Sequence, residues 1–478
     1  MDRRVKKSLM KYINSVATLL WSLVISAQGY VATEHPNIVF FLVDDMGWRD
    51  AACYGSELYE TPWLDQLASE GVLFTQAYAS HPRCVPSRYS ILTGRFPARA
   101  GIPGAAYNMD SSEFTLAEAF KQGGYTTFFA GKWHLEKEVD QRPEVQGFDI
   151  NMAGGKAGAP ASYFYPYTKS KRASHRPEAL IRGLETGESG EYLTDRLTDE
   201  TVRFIEQNVD RPFLIYLSHY AVHTPLEAKA EETANYEQKI NRIELSGEAY
   251  MPRDGTTKRW QDNAVYAAMI QHVDDSLGRV MKTLKQQGIA ENTIIIFTSD
   301  HGGLSNRGAT SQRPLATSNL PLRAGKGHLY EGGIRVPLVV KWPGVTSAGI
   351  VTDRMVVGSD HYPTMLQMAG LPLYPRQHLD GFSYQDTLRG KIAEREPPIF
   401  WHSPKARPSS TGDTNASAIR VGDWKLIDFY DEQRTELYNL SEDLSEANDL
   451  FSKEPTIAAR LLAQLRTWKT ELKVFQEE

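Results

Sequence analysis

The chain reads as an α/β protein, a large and mostly parallel central sheet flanked by helices, with a small α+β subdomain at its C-terminal end. Three observations predict this. Continuous apolar runs recur up to residue 342, and such runs mark strands buried on both faces. Helix-type stretches with start and stop signals separate them. After about residue 380 the pattern changes to short strand-like runs closed by one helix.

Residues 37–43 (NIVFFLV) form the first buried strand, and Asp44 and Asp45 follow at once. Thr61 and Pro62 supply the N-cap and first turn of a helix that Gly71 closes. A strand is expected over 72–77, and a short amphipathic helix over 114–122 stops at Gly123-Gly124. The strand 125–130 runs into Gly131-Lys132-Trp133-His134. The strand 213–218 precedes His219 and His223. A long helix over 262–287 leads to the strand 293–299, then Asp300-His301-Gly302-Gly303, and 336–342 is a further strand. Segments 156–190 and 226–258 are polar with weak periodicity and read as long loops or insertions that shape access. Short strands at 397–401, 418–421 and 424–429 and a helix at 457–472 make the C-terminal subdomain.

A length of 478 residues exceeds what one compact core carries, so the division expected is a main domain over 28–380 and a smaller one over 381–478. Charged residues at 23% and hydrophobic residues at 41% are ordinary for a soluble globular protein. A net charge of −6 argues against nucleic acid as a partner, although a local basic pocket for a polyanion is compatible with it. Arg3, Arg4, Lys6, Lys7 and Lys11 precede an apolar stretch over 13–25, followed by Ser26 and Ala27. This pattern predicts a signal peptide over 1–27, with export to the periplasm or beyond. An uncleaved anchor is the alternative, but the apolar run is short for a span, and no other segment is long and apolar enough to be one. Cys53 and Cys84 are the two cysteines. One disulfide between them is the plain reading for an exported chain, but a motif claims Cys84.

Ligands of parallel sheets bind beyond the carboxyl ends of the strands. Four strands here end in acids, lysine or histidine, so these groups are expected to converge on one edge. Asp44, Asp45 and Asp300 repel one another unless a cation lies among them, and oxygen ligands select Ca²⁺ or Mg²⁺ over zinc. His301 either ligates through nitrogen or hydrogen-bonds to the site. Cys84 opens Cys84-Val85-Pro86-Ser87-Arg88, with Thr93-Gly94-Arg95 following. A cysteine in C-x-P-S-R is the target of a maturation enzyme that oxidises the thiol to an aldehyde, Cα-formylglycine. The hydrated aldehyde is a geminal diol, a nucleophile toward sulfur or phosphorus whose second hydroxyl can expel the bound group. Arg88, Lys132 and Lys326 are candidates to hold the substrate anion. His134 and His223 are candidates for the proton transfers.

These residues resemble the type I sulfatase family of the alkaline phosphatase superfamily, over residues 36 to 450. The C-x-P-S-R block with Leu92-Thr93-Gly94-Arg95 is its signature. Gly131-Lys132-Trp133-His134, His223-Thr224-Pro225, Asp300-His301-Gly302, Lys326 ahead of Tyr330-Glu331-Gly332-Gly333, and Glu436-Leu437-Tyr438-Asn439 are similar to its other blocks. The resemblance implies an alkaline phosphatase-like fold and hydrolysis of a sulfate ester through a covalent sulfoenzyme intermediate. It implies that Asp44, Asp45, Asp300, His301 and the modified Cys84 ligate Ca²⁺, in preference to Mg²⁺; many relatives have asparagine where His301 stands. Arg88 and Lys132 would steady the formylglycine and sulfate, and His134 would assist sulfate release. Lys326 and His223 would contact the ester, with His223 as general acid and Asp300 a candidate base. A sulfated carbohydrate is the implied substrate, an algal polysaccharide fragment or a glycosaminoglycan.

Two rival readings are a formylglycine-dependent phosphodiester or phosphonate monoester hydrolase and a non-catalytic carbohydrate-binding pseudo-sulfatase. The second would lack a Cys, Arg or Lys of these blocks, and all are present. Tyr163, Phe164, Tyr165 and Tyr167 either stack on sugar rings or anchor a loop. Arg99, Asn108 and Asp110 are candidates for the pocket mouth.

Overall fold

Among the described residues the strands, in chain order, are β1 (Asn37–Val43), β2 (Val72–Tyr78), β3 (Thr126–Gly131), β4 (Ile150–Met152), β5 (Phe213–Ser218), β6 (Tyr250–Met251), β7 (Thr256–Lys258), β8 (Thr293–Ser299), β9 (Asn306–Arg307), β10 (Arg335–Lys341), β11 (Ile350–Thr352), β12 (Val356–Val357), β13 (Ile399–Ser403), β14 (Ala416–Val421), β15 (Trp424–Phe429) and β16 (Arg434–Asn439). They come from a computed structural model that describes residues 35–101, 109–167, 181–391, 395 and 397–474. The expected signal peptide (1–27) and Asn108 lie outside the described residues.

The main sheet has nine strands in the order β11-β2-β10-β8-β1-β5-β3-β4, with β12 paired to β2. β1 pairs in parallel with β5 and β8, and β3 with β4 and β5. β10 alone runs against its neighbours β2 and β8. Its reversed direction matters, because the start of β10, rather than its end, lies at the edge where the other strands finish. The glycine-rich stretch before Arg335 is thereby carried to that edge.

Both faces of the sheet are covered, as the continuous apolar runs require. Val39, Phe41 and Val43 point into one core, with the helices Leu193–Gln207 and Ala264–Gln286. Ile38, Phe40 and Leu42 point into the other, with Leu116–Gln122 and His361–Met368. The four-stranded antiparallel sheet β13-β14-β15-β16 and the helix Pro455–Glu471 form a third core. That sheet is tied to the main one by buried polar groups. The Lys425 ammonium lies between Glu331 (2.9 Å) and Glu446 (2.8 Å), and Trp401 Nε1 donates to the Ala79 carbonyl.

The described residues from Pro36 onward make one compact unit. No helix among the described residues is long and apolar enough to cross a membrane. The segment 226–258, read from sequence as loop, contains the helix Ala230–Ile240 and the strands β6 and β7. That helix buries only Tyr236, so its apolar periodicity is too thin to see in the sequence.

Candidate active site

The register of the central strands sets the site. Val43 pairs with Ser299, and Leu42 and Gly131 both pair with Ser218. Asp44, Asp300 and Lys132 therefore leave the sheet at one level. Backbone bonds hold them there: Asp300 N–H donates to Val43, Lys132 N–H to Ser218 and Asp44 N–H to Ala221. Only glycine fits at 131, where φ is +105° and a Cβ would lie 1.9 Å from the Ser218 carbonyl oxygen.

β2 leads to Cys84, the first residue of the helix Cys84–Thr93, all ten residues of which are buried. Cys84 Sγ lies 3.2 Å from His301 Nε2 and 3.8 Å from Lys326 Nζ. Burial pushes the thiol up, but Lys132, Lys326 and His301 outweigh it and hold it well below its ordinary range. This position is thus built for negative charge, and the helix N-terminus adds to that.

The carboxylates are fully buried and individually partnered. Asp44 takes the Lys132 ammonium at 2.6 Å and Arg88 Nη2 at 3.4 Å. Asp45 is chelated by Lys326 Nζ at 2.6 and 2.8 Å, with His301 Nε2 at 3.3 Å and His223 Nε2 at 3.7 Å. Asp300 accepts Arg88 Nε at 3.0 Å and the Asp45 N–H at 3.1 Å, and its Oδ1 is 3.7 Å from His301 Nε2. Burial raises Asp45 and Asp300, yet neighbouring basic groups (His223, Lys326 and His301 for Asp45, His301 and Arg88 for Asp300) bring both below the usual range. Asp44 goes the other way: burial lifts it well above that range, and Lys132 only partly opposes this. The site's own lysines thus leave one carboxylate short of positive charge.

A divalent cation fits that deficit. Ligand atoms from Asp44, Asp45, Cys84 and His301 all lie within 4.8 Å of one another. Ligands on opposite sides of a Ca²⁺ ion, at 2.3–2.6 Å each, are about 4.6–5.2 Å apart. His301 Nδ1 faces the Gly302 carbonyl at 3.0 Å, which turns Nε2 toward Cys84 and Asp45, the orientation usual for ligating histidines. Asp300 borders this group of four, its two oxygens already taken by Arg88 and the Asp45 amide.

The remaining residues from the sequence reading fall as follows. The Arg88 guanidinium, expected against a substrate anion, meets Asp300, Asp44, the Lys132 carbonyl (2.8 Å) and Ser218 Oγ (2.6 Å). Burial pushes His223 down to about 3, against the pull of Asp45, and its Nδ1 is turned to the Thr224 carbonyl, so Nε2 faces the site. His134 has a left-handed backbone (φ +59°), as does Asp45 (φ +63°). Burial lowers the His134 imidazole, and a hydrogen bond with Cys84 opposes this. Strained backbones of this kind collect at functional sites. Arg99 is clamped by Asp380 (2.6 and 2.8 Å) and Asp110 closes a turn at Ser112, so neither joins the site. Tyr163 is an anchor: its buried hydroxyl donates to the carbonyls of Tyr220 (2.7 Å) and His223 (2.8 Å). Cys53 and Cys84 are both free.

Sequence reasoning missed Ser218 and Gly158. Ser218 ends β5 and bridges Arg88 to the Lys132 carbonyl; its place at a strand end was the available signal. Gly158 carries no local signal, being needed only for space: a Cβ there would lie 2.4 Å from His134 Nε2. Gly158→Ala is therefore expected to displace the His134 ring and cut kcat by about tenfold to a hundredfold in a folded protein. An unchanged kcat would show that the ring is not needed where it stands.

Residues 36–371 match the sulfatase family model, and residues 324–473 match the model for the C-terminal part of N-sulphoglucosamine sulphohydrolase. A sulfatase of Formosa agariphila is 29% identical over 91% of this chain and 89% of its own. The N-acetylgalactosamine-6-sulfatase of Sus scrofa is 33% identical over 80% of this chain and 71% of its own. The crystal structure of Ps i-CgsB, also solved with k-i-k-neocarrahexaose, superposes with a TM-score of 0.75 at 29% identity, covering 91% of this chain and 93% of that one. The family match begins one residue before β1 and takes in every strand end that feeds the carboxylate cluster. On that evidence the chain belongs to the sulfatase family and is a sulfuric ester hydrolase.

Proposed function

We propose that the protein removes sulfate from a sulfated carbohydrate, an algal polysaccharide fragment or a glycosaminoglycan, after Cys84 is matured to formylglycine and Ca²⁺ is bound. The observation that carries this is the setting of Cys84. Its sulfur marks where a nucleophile would sit, at a helix N-terminus, 3.2 Å from His301 and 3.8 Å from Lys326. The similar proteins that act on or bind sugars by name, N-acetylgalactosamine-6-sulfatase and the neocarrahexaose-bound Ps i-CgsB, support the carbohydrate.

Hydrated formylglycine at position 84 would supply a hydroxyl for attack on sulfur and a second hydroxyl through which sulfate would be expelled. Asp44, Asp45, His301 and position 84, with Asp300 alongside, would hold Ca²⁺, which would supply positive charge that acidifies a hydroxyl at position 84. The chain's own residues do the rest. Lys132 and Lys326 flank position 84 and hold the anionic sulfate against it. Arg88 braces Asp44 and Asp300. His223 Nε2 faces the site, with the ring's other nitrogen tied to Thr224, and is placed to give a proton to the departing sugar oxygen. The His223 ring is neutral in the free protein, so an arriving sulfate anion must raise its proton affinity. His134, beside Cys84, is placed to take the proton that frees the product.

Residues 1–27 support export as a signal peptide, and such a route would bring the chain to its maturation enzyme before folding. Peptide mass spectrometry of active protein should show Cys84 about 18 Da lighter, the difference between thiol and aldehyde; an intact thiol in fully active protein overturns the maturation. Removing the metal with a chelator is expected to lower kcat/KM by about a hundredfold or more and to lower the thermal midpoint, with Ca²⁺ restoring both better than Mg²⁺. Full activity in protein shown to be metal-free would refute the cation's role. A higher kcat/KM on a phosphodiester or phosphonate monoester than on any sulfated sugar would replace this reading with the hydrolase of phosphorus esters.

A further inference from the structure

Beyond the groups that meet position 84, guanidinium groups gather on one side of the site with too few acids. Arg407 lies in the connection between β13 and β14, which is tied down to the site floor. Asp413 of that connection accepts Arg83 Nη2 at 2.6 Å, and Arg83 directly precedes Cys84. His328 Nε2 meets the Thr411 carbonyl at 2.8 Å. Gly327, the neighbour of Lys326, is packed so closely that a Cβ would lie 2.8 Å from Thr411 Oγ1 and 2.9 Å from Asp413 Oδ1. From the other side Arg313 Nη1 donates to Ser410 Oγ at 2.8 Å. One turn thus gathers Arg83, Arg313 and the Arg407 backbone, whose N–H donates to Asp413 at 3.3 Å, near Lys326 and Cys84.

Of the three guanidiniums only that of Arg83 pairs with a carboxylate, Asp413. Among the described residues neither Arg313 nor Arg407 pairs with an acid, and Arg83 Nε is buried with no partner. His81, fully buried in the same neighbourhood, also has no partner for either ring nitrogen. The electrostatics agree with crowding. Burial pushes Arg313 down, with Asp45 supporting it and Arg83 opposing; burial and then Arg83 push Arg407 down. Charge at Cys84 supports both arginines. Arg313 is half-buried and Arg407 exposed, and like charges gathered side by side favour an anion among them. The sulfate that is cleaved already has Lys132 and Lys326 at position 84, and Arg313 and Arg407 contact neither. The group they meet is therefore farther out on the substrate.

We propose that Arg313 and Arg407 form a second anion subsite, so that the favoured substrate carries a further sulfate or carboxylate beside the sulfate that is removed. This rests on the carbohydrate-sulfatase reading above. The planar arginine fork suits either anion, and both arginines reach it from segments anchored to the catalytic floor.

The test uses the matured, Ca²⁺-loaded protein and three disaccharides of one backbone: with one sulfate, with a second sulfate on the adjoining ring, and with a carboxylate there. Wild-type kcat/KM should be about tenfold or more higher for at least one of the doubly charged sugars. In Arg313→Gln/Arg407→Gln that advantage should shrink to within about threefold, through KM, while Arg→Lys at both positions keeps part of it. The sugar that loses most identifies which anion is recognised. Equal wild-type kcat/KM on all three, or a proportionate loss on all three in the variant, overturns the subsite, the latter pointing to general attraction of anions. If an aryl sulfate is cleaved but no disaccharide is, the carbohydrate reading fails, and inhibition of aryl sulfate hydrolysis by the disulfated sugar judges the subsite alone. An inhibition constant raised about tenfold by the double variant supports it, and an unchanged one overturns it.

Discussion

Cys84→Ala is expected to abolish sulfatase turnover, by about four orders of magnitude or more, in a protein that still folds. The side chain is small and buried, and its loss removes no partner that the fold depends on. His301 keeps the Gly302 carbonyl and Lys326 keeps Asp45. What disappears is the group at the focus of Lys132, Lys326 and His301 that becomes the nucleophile. Cys84→Ser sharpens the test. Serine has one hydroxyl, so after it takes a sulfate it has no second group with which to expel it. At most one equivalent of desulfated product per enzyme should appear, followed by arrest. Sustained wild-type turnover in either variant would remove position 84 from the reaction.

The second large effect is on stability and activity together. Arg88→Met should lower the unfolding free energy by about 3–5 kcal/mol, the range for breaking a buried ion pair, and reduce turnover by about a thousandfold or more. Arg88 is 1% exposed and its guanidinium joins Asp300, Asp44, Ser218 and the Lys132 carbonyl. Burial disfavours its charge, but Asp300 and Asp44 outweigh that and raise its proton affinity above the ordinary value. Without it, two carboxylates face each other in the interior with Lys132 and His301 as the cations left, and the Lys132 carbonyl loses one of its two donors, keeping Ser218 Oγ. Arg88→Lys restores a charge but cannot span Asp300, Asp44 and Ser218 at once, so it should recover part of the stability and little of the activity. A melting midpoint and kcat near wild type in Arg88→Met would show that the pairings are incidental.

The strands were legible because burial on both faces leaves a continuous apolar run. The expected 37–43, 213–218 and 293–299 coincide with β1, β5 and β8. The helix Cys84–Thr93 was not legible. It is buried all round, so it shows no polar stripe, and Pro86 reads as a break although a first-turn proline is tolerated. The helix Leu193–Gln207 was passed over between two polar segments. The aromatic run at 163–167 left two readings open, and burial of Tyr163 and Tyr167 decided for an anchor.

For the site, sequence alone determined the inventory: carboxylates after β1 and β8, lysine and histidine after β3, histidine after β5, and the cysteine in its motif. Residue order suffices for this, because parallel strands deliver whatever follows them to one edge. Only the tertiary structure decided how these groups are paired. An apolar strand carries no mark of its direction, so the reversal of β10, which brings Lys326 onto Asp45 and toward Cys84, could not be read from the chain. Nor could the turning of Arg88 toward Asp44 and Asp300, the space at Gly158, or the turn from the C-terminal sheet that carries Arg407. These depend on side chains distant in sequence meeting in a dry interior, where each buried charge must be matched by whatever opposite charge the fold brings within reach.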